Sequence, residues 1–296
     1  EDNTAAFVGV YHAAGGDVFV HGGLGSDVIV ITTGAGTSSV NVNGTVYNYS
    51  DADLASLRIR THAGNDSVNG TAVAKPVLAW GGAGDDTLTG GTGNDSLDGG
   101  TGSDSLAGMS GNDSILGGAG SDTLNGNLGN DMIDGGPDSD RWVFEGTTAN
   151  DSITVQPDTV PGRLKATRST EIDRFTYDTL DAVQVLGGLG NDTLTVNAAV
   201  TLPAILDGGL GNDTLAGGSG HDVLLGQDGN DSLLGKLGND TLDGGIGSDT
   251  FTFDGTGATD FLDVDWDDLA LQLVANRRGS SAGAPVETDR ASNVER

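Results

Sequence analysis

Cysteine is absent from the 296 residues of this chain, and histidine and proline are scarce. Without cysteine the chain forms neither disulfide bonds nor thiolate metal sites. The four His residues leave little for catalysis or for transition-metal binding. The chain has only 6 Pro, and its glycines follow no Gly-X-Y period, which excludes collagen. No apolar run approaches the ~20 residues of a membrane-spanning helix, so no membrane span is expected.

Positive charge is also rare. The chain has 10 Arg and 3 Lys against 38 Asp and 5 Glu, which gives a net charge of −30. This charge repels nucleic acid and anionic lipid surfaces, so neither is expected as a partner. Low hydrophobicity with high net charge is typical of disordered chains, so folding needs a contribution beyond an apolar core. The acids are mostly Asp and occur with 51 Gly and 19 Asn, which indicates tight turns and hard oxygen ligands.

A nine-residue repeat accounts for this composition. Residues 81–143 divide into seven consecutive nonapeptides and residues 208–252 into five more, with single copies at 22–30, 61–69 and 187–195. Each copy follows or approaches the pattern G-G-x-G-x-D-x-U-x, in which U is a large apolar residue. Twelve copies in phase do not arise by chance, so the chain is a repeat protein.

A longer period predicts larger units, because the segments between the repeats also recur in the two halves of the chain. The predicted units are residues 1–144, a β insert followed by the array 81–143; residues 145–253, a second β insert followed by the array 208–252; and a partial third unit at 254–296. In the first insert, apolar residues alternate in VNVNGTVYNY (40–49), which predicts a β-hairpin with a type I′ turn at Asn43-Gly44. Residues 151–186 take the same place in the second unit.

The repeat predicts an all-β solenoid. Its first six positions form a turn in which glycine permits positive φ, and its last three form a short strand with the apolar residue inward. Two repeats make one coil of eighteen residues, and the coils stack by parallel strand pairing ~4.8 Å apart. The predicted inner ladders are Leu88, Leu97, Leu106, Ile115, Leu124, Ile133 and Trp142 in the first array, and Leu215, Leu224, Leu233, Leu242 and Phe251 in the second.

The stacking of coils places acidic side chains over one another. Alternate repeats lie on the same side, so Asp86 stacks over Asp104, and Asp95 over Asp113. Two carboxylates ~5 Å apart at an effective dielectric constant of ~20 repel by roughly 3 kcal/mol. A hard divalent cation between them reverses the sign. Carboxylate and turn carbonyl oxygens suit Ca²⁺ better than Mg²⁺, which demands stricter octahedra, or Zn²⁺, which favours His and Cys.

The predicted metal ligands are the aspartates at the sixth position of the repeats. They are Asp27, Asp66, Asp86, Asp95, Asp104, Asp113, Asp122, Asp131, Asp140, Asp192, Asp213, Asp222, Asp231, Asp240 and Asp249. Same-side pairs predict about ten Ca²⁺ ions, which offset about twenty of the negative charges. Asp86 and Asp140 are expected at the ends of the first array. The spacings from Asp66 to Asp86 and from Asp192 to Asp213 are each close to one coil, so each array is expected to gain one further site.

The nonapeptides resemble the RTX (repeats-in-toxin, hemolysin-type) calcium-binding repeats of secreted bacterial proteins. The resemblance covers the arrays and the single copies but not the inserts. It implies a right-handed parallel β-roll with Ca²⁺ held between successive same-side turns, and here the arrays are interrupted by hairpin-like β inserts. The chain departs from the pattern where Asp138 replaces a third glycine and where Met109, Asn127, Gln227 and Lys236 replace second glycines. His62 is expected to fill a missing glycine position.

These features predict a non-enzymatic, extracellular, calcium-binding structural or adhesive protein of a bacterial surface, matrix or filament. The alternative is a calcium-folded secretion or carrier module of an RTX enzyme or toxin whose catalytic domain is absent. No Ser-His-Asp arrangement can be built, because the aspartates are accounted for as ligands. The third unit stops at Arg296 and neither end reads as a helical cap, so head-to-tail self-association or a longer parent chain is expected.

Overall fold

The protein is described from a computed structural model. The structure describes residues 9–13, 15–34, 36–52, 54–178 and 181–252, and the backbone of the strands at 261–263 and 272–274. All helix or strand elements assigned in these residues are β-strands, which confirms the all-β prediction. In this part of the chain there is no helix long and apolar enough to cross a membrane.

Thirty strands are numbered in chain order. Up to the end of the first array they are β1 (Gly9–His12), β2 (Asp17–His21), β3 (Val28–Gly34), β4 (Thr37–Val42), β5 (Thr45–Ser50), β6 (Ser56–Ala63), β7 (Ser67–Asn69), β8 (Val77–Ala83), β9 (Thr87–Thr89), β10 (Ser96–Thr101), β11 (Ser105–Ala107), β12 (Ser110–Gly111), β13 (Ser114–Ala119), β14 (Thr123–Asn125), β15 (Leu128–Gly129), β16 (Met132–Asp134) and β17 (Arg141–Glu145). The others are β18 (Ser152–Pro157), β19 (Arg163–Arg168), β20 (Glu171–Thr176), β21 (Ala182–Leu189), β22 (Thr193–Val196), β23 (Ala204–Leu210), β24 (Thr214–Ala216), β25 (Val223–Asp228), β26 (Ser232–Leu234), β27 (Thr241–Asp243), β28 (Thr250–Thr252), β29 (Phe261–Asp263) and β30 (Gln272–Val274).

Two long sheets form the walls of a β-solenoid. One has fifteen strands in the order β1-β2-β6-β8-β10-β13-β16-β20-β19-β18-β22-β24-β26-β28-β30, and the other has thirteen in the order β29-β27-β25-β23-β21-β17-β14-β11-β9-β7-β3-β4-β5. Strands of successive coils pair in parallel with Leu97 opposite Ile115 and Leu106 opposite Leu124. These partners are eighteen residues apart, which confirms the predicted coil of two repeats.

The apolar core lies between the two sheets as a single continuous cluster. All twelve residues of the predicted inner ladders are buried, with at most 2% of their surface exposed. The eighth position of the repeat is the second residue of its strand, which begins at the seventh position. Alternation therefore turns this one side chain inward and its two neighbours outward. The core is correspondingly narrow in the arrays, with about one large side chain per repeat.

The first insert contains the predicted hairpin. Strands β4 and β5 pair antiparallel with Val42 opposite Thr45, so the loop is Asn43-Gly44. Both loop residues have positive φ, 51° and 87°, as a type I′ turn requires. The hairpin extends β3, and β5 forms one edge of the thirteen-stranded sheet. The hairpin prediction is therefore confirmed.

The second insert takes a different place in the fold. Its strands β18, β19 and β20 form an antiparallel meander that lies inside the fifteen-stranded sheet. β20 pairs in parallel with β16 of the first array. β18 pairs in parallel with β22, which starts in the single repeat copy 187–195 and itself pairs with β24 of the second array. In the other sheet β21 joins β17 to β23. The two arrays therefore share both sheets. The predicted third unit lies outside the described residues apart from the end strands β29 and β30.

Candidate metal centre

The turns keep one backbone geometry even where glycine is replaced. His62, Met109, Asn127, Gln227 and Lys236 occupy the second position of their repeats with φ between 66° and 78°. Asp138 takes the fourth position with φ of 85°. The left-handed conformation costs a non-glycine residue about 1–2 kcal/mol, so the surrounding coils impose it. The interpretation of His62 as a substitute for a glycine is confirmed.

Aspartate side chains connect the turns of successive coils. In each same-side pair the backbone N–H of the earlier Asp donates to Oδ1 of the later one, as from Asp86 to Asp104 (2.7 Å) and from Asp104 to Asp122 (2.8 Å). We call these rows the carboxylate ladders. The ladders are Asp27, Asp66, Asp86, Asp104, Asp122, Asp140 and Asp181; Asp95, Asp113, Asp131 and Asp173; Asp151, Asp192, Asp213, Asp231 and Asp249; and Asp222 and Asp240.

The second carboxylate oxygen distinguishes the rungs within a ladder. Oδ2 is buried and accepts no hydrogen bond in Asp66, Asp86, Asp104, Asp113, Asp122, Asp131, Asp140, Asp173, Asp192 and Asp213. Each of these residues follows another rung. A buried charged oxygen without a partner costs several kcal/mol unless a positive charge compensates it. The oxygens therefore form rows of sites that call for a cation.

The first rung of a ladder is already satisfied by the backbone. Oδ2 of Asp95 accepts from the N–H of Gly91 (2.6 Å), and its Oδ1 accepts from the N–H of Val77. Asp222 repeats this pattern. Both oxygens of Asp27 also accept N–H groups, one of them from the Asn43 amide. These three predicted ligands are buried, but their lone pairs are partly used by protein donors.

The first glycine of each repeat opens a space beside the unpartnered oxygen. A Cβ placed on Gly99 would lie 2.3 Å from Oδ2 of Asp104 and 2.6 Å from the carbonyl oxygen of Gly117 in the next coil. Gly81 and Gly117 lie beside the same two kinds of oxygen. A carboxylate and a carbonyl of successive coils thus converge on one small space. This donor set, all hard oxygens, suits Ca²⁺.

Backbone carbonyls are needed to complete such a site. No three His, Asp or Glu side chains converge on one point in the part of the chain that the structure describes. Ca²⁺ takes 6–8 oxygens and accepts backbone carbonyls and water among them. One or two carboxylates with turn carbonyls therefore fit Ca²⁺, whereas a site that needs three side-chain ligands does not form here.

Burial perturbs the carboxylates strongly. Burial raises the pKa of Asp113 and Asp122 to about 7, and the charges of neighbouring rungs add to the effect. Burial likewise raises the pKa of Asp86 and Asp140 to about 6. Hydrogen bonds from the backbone lower these values but do not offset burial. Without a cation, ionising a ladder at neutral pH is unfavourable.

Three rungs lie outside the nonapeptides and were missed from sequence. Asp151, Asp173 and Asp181 stand in the second insert, and Asp181 receives the N–H of Asp140 (3.0 Å). The expectation that Asp140 ends a ladder is therefore wrong, because strand pairing continues the row to Asp181 in the second insert. The further pairs expected from spacing, Asp66 with Asp86 and Asp192 with Asp213, are present in the ladders. The sequence signal that could have found these three rungs is the second half of the repeat, D-x-U-x, without the glycines before it, as in Asp173-Arg-Phe-Thr.

A second row of hydrogen bonds runs along the exposed side of the turns. Residues at the fifth position accept from the backbone of the following coil, as Asn94 Oδ1 does from Asn112 N–H (2.8 Å). His221 belongs to this row, since its Nδ1 accepts from the N–H of Asn239 (3.0 Å). His221 is exposed, and it acts here as an acceptor between coils. In the outer row the later coil donates and the earlier coil accepts, whereas in the carboxylate ladders the earlier coil donates and the later coil accepts.

The architecture is that of a repeat protein, a parallel β-solenoid whose turns carry rows of buried carboxylates. A family model described as RTX calcium-binding nonapeptide repeat (4 copies) matches residues 10–37, 80–115, 108–141, 205–224 and 225–262, which together make half of the chain. The chain belongs to this family of calcium-binding repeat proteins. The match leaves out most of the second insert. No curated protein matches the chain significantly.

Replacing Gly99 by Ala is expected to remove about one bound Ca²⁺ ion per chain and to lower thermal stability in calcium. The new Cβ would collide with the Asp104 carboxylate and the Gly117 carbonyl at the distances given above. Equilibrium dialysis with ⁴⁵Ca²⁺ measures the loss. Gly25→Ala is the matched control, because its Cβ would meet no atom within 4 Å. Equal ion numbers in both variants would contradict the assigned donor set.

Proposed function

We propose that this protein is an extracellular structural or adhesive protein that Ca²⁺ folds and rigidifies between the turns of the solenoid. The observation that carries the proposal is the row of buried Oδ2 atoms without partners in consecutive rungs. A divalent cation between two rungs supplies the missing positive charge and converts repulsion between coils into attraction. The repeats then act as a rigid rod rather than as a catalyst.

The proposed ligands are the sixth-position aspartates with the first-glycine carbonyls of the neighbouring coil. The rungs whose buried Oδ2 accepts no hydrogen bond, such as Asp104 and Asp113, carry most of the binding, because this oxygen is available to a cation. Asp27, Asp95 and Asp222 contribute less, because both carboxylate oxygens of each already accept hydrogen bonds from N–H groups. About ten ions, the number that the spacing predicts, would leave roughly a third of the net charge uncompensated. That remainder keeps the surface soluble.

The extracellular location is supported by calcium availability. Sites built from turn carbonyls and one or two carboxylates are expected to bind Ca²⁺ with a Kd of ~10⁻⁴–10⁻³ M, which is the range of extracellular modules. At cytosolic calcium the chain would stay unfolded, which suits export before folding. RTX repeats are typical of secreted bacterial proteins, and that likeness supports the same location.

Head-to-tail self-association is part of this proposal, and the secretion or carrier module is its alternative. A solenoid offers strand edges to another chain. One such edge is β5, which among the described strands pairs with β4 alone. A heterologous contact of this kind propagates unless its rotation closes a ring.

Electron microscopy and light scattering of the purified protein, with and without Ca²⁺, separate the two functions. Calcium-dependent filaments or large assemblies support the structural role. A folded protein that remains strictly monomeric in saturating Ca²⁺ supports the secretion or carrier module. Mg²⁺ at the same ionic strength is the control for simple charge screening.

A further inference from the structure

The second insert continues a carboxylate ladder without a calcium-binding turn. The backbone N–H of Asp131, in the last same-side repeat of the first array, donates to Oδ1 of Asp173 (3.2 Å). The two residues are forty-two positions apart and are brought together by the parallel pairing of β16 with β20, in which Ile133 lies opposite Phe175. Each residue exposes 1% of its surface. The insert thus supplies one carboxylate and the array the other.

The two carboxylates repel one another, and the charge of Arg168 offsets only part of this effect at Asp173. Oδ2 of Asp131 and Oδ2 of Asp173 are both buried without a hydrogen-bond partner. Burial and the neighbouring Asp173 charge raise the pKa of Asp131, and burial raises that of Asp173. Glu171 adds a third negative charge nearby. The cationic side chains near Asp173 in sequence already have partners. Arg168 donates to Glu171 and to the Glu145 carbonyl oxygen, and Arg174 forms an ion pair with Asp158 (3.5 Å).

The turn before Asp173 also differs from those of the arrays. It is the hairpin turn between β19 and β20, with Ser169 at φ 54°, and it contains none of the repeat's glycines. Around Gly126 the three atoms that a Cβ would approach most closely all belong to the Asp131 carboxylate side. At Gly81, Gly99 and Gly117, inside the first array, a glycine carbonyl of the next coil is among those atoms. At Gly126, as at Gly135, no such carbonyl is among the three nearest atoms.

We propose that Asp131 and Asp173 hold a divalent cation of their own at the junction between the first array and the second insert. The ion is Ca²⁺ under the conditions in which the arrays bind it, with water completing its coordination. The inference rests on the proposed calcium-dependent folding and extends it to a site with one ligand outside the nonapeptides. Through this ion the insert is locked to the first array, so the rod is continuous across the break in the repeats.

The test is whether the substitution Asp173→Asn changes the Tm in opposite directions without and with Ca²⁺. Asp173→Asn removes the repulsion in calcium-free protein and removes a ligand in calcium. The calcium-free protein is dialysed against chelator at pH 8, and 20% trimethylamine N-oxide is added to populate its folded form. Under these conditions we expect the Tm of Asp173→Asn to be about 2–4 °C higher than that of the unaltered protein. In 5 mM Ca²⁺ we expect it to be lower by a similar amount. Bound ⁴⁵Ca²⁺ should fall by about one ion per chain. Asp134→Asn is the matched control, because Asp134 lies on the exposed face of the same strand β16.

Luminescence of Tb³⁺ gives an independent signal. Trp142 stacks on Phe175 with ring centroids 5.4 Å apart, so a Tb³⁺ ion at the junction has an aromatic sensitiser close by. Asp173→Asn should lower the sensitised emission, and Asp134→Asn should not. An unchanged ion number and emission in Asp173→Asn would overturn the junction site, as would a Tm that falls in both media. Absence of calcium uptake by the unaltered protein would instead overturn the proposed function as a whole.

Discussion

Removal of calcium is expected to unfold most of the solenoid. In chelator at pH 7.5 the circular dichroism spectrum should be that of a largely disordered chain, and millimolar Ca²⁺ should restore a β spectrum. Each stacked carboxylate pair repels by roughly 3 kcal/mol, whereas a folded domain is stable by only about 5–15 kcal/mol in total. Several ionised rungs therefore exceed what the narrow core supplies.

The transition should depend on the cation and on several sites together. Ca²⁺ titration is expected to give a cooperative curve with a midpoint of ~10⁻⁴–10⁻³ M. Mg²⁺ at equal concentration serves as the control, and it should restore far less structure because it holds its waters more tightly. An unchanged β spectrum in chelator would show that the ladders do not need a cation.

Acidification of the calcium-free protein is expected to have the opposite effect from the usual acid denaturation. The folded pKa of Asp113 and Asp122 is about 7 and that of Asp86 and Asp140 about 6, against 3.8 in the unfolded chain. Between these limits the folded state binds more protons than the unfolded state, so stability is greatest below about pH 4 and falls as the pH rises through 6 to 7.

With calcium bound the pH dependence should reverse. The ligand carboxylates must be deprotonated, so protons compete with Ca²⁺ and stability rises with pH. Thermal unfolding of metal-free protein and of protein in 5 mM Ca²⁺, each at pH 4, 6 and 8, measures both slopes. Parallel slopes in the two media would contradict the assignment of the buried carboxylates as calcium ligands.

The sequence predicts the coil because its evidence is local. Glycine and aspartate recur every nine residues, and one apolar residue per strand fixes which face is buried. The hairpin at Asn43-Gly44 is predictable for the same reason, since two residues with positive φ determine the turn. These elements need no information about distant parts of the chain.

The role of the second insert could not be read in this way. Asp131 and Asp173 meet through the pairing of β16 with β20, and no repeat of fixed length joins them. The hydrogen bonds that occupy both oxygens of Asp95 depend on Val77 and Gly91, and spacing does not reveal them. Position in a motif therefore predicted which aspartates are buried, and only the three-dimensional arrangement shows which oxygens remain for a cation.

Anomalous diffraction from crystals grown in Ca²⁺ would locate the ions bound to the ladders. We expect anomalous peaks between successive rungs, each within about 2.3–2.6 Å of a buried Oδ2 and of a first-glycine carbonyl oxygen. Asp104 and Asp113 should each lie beside such a peak. A folded solenoid whose ladders show no peak, or whose ions lie only on exposed carboxylates such as Asp134, would contradict this expectation.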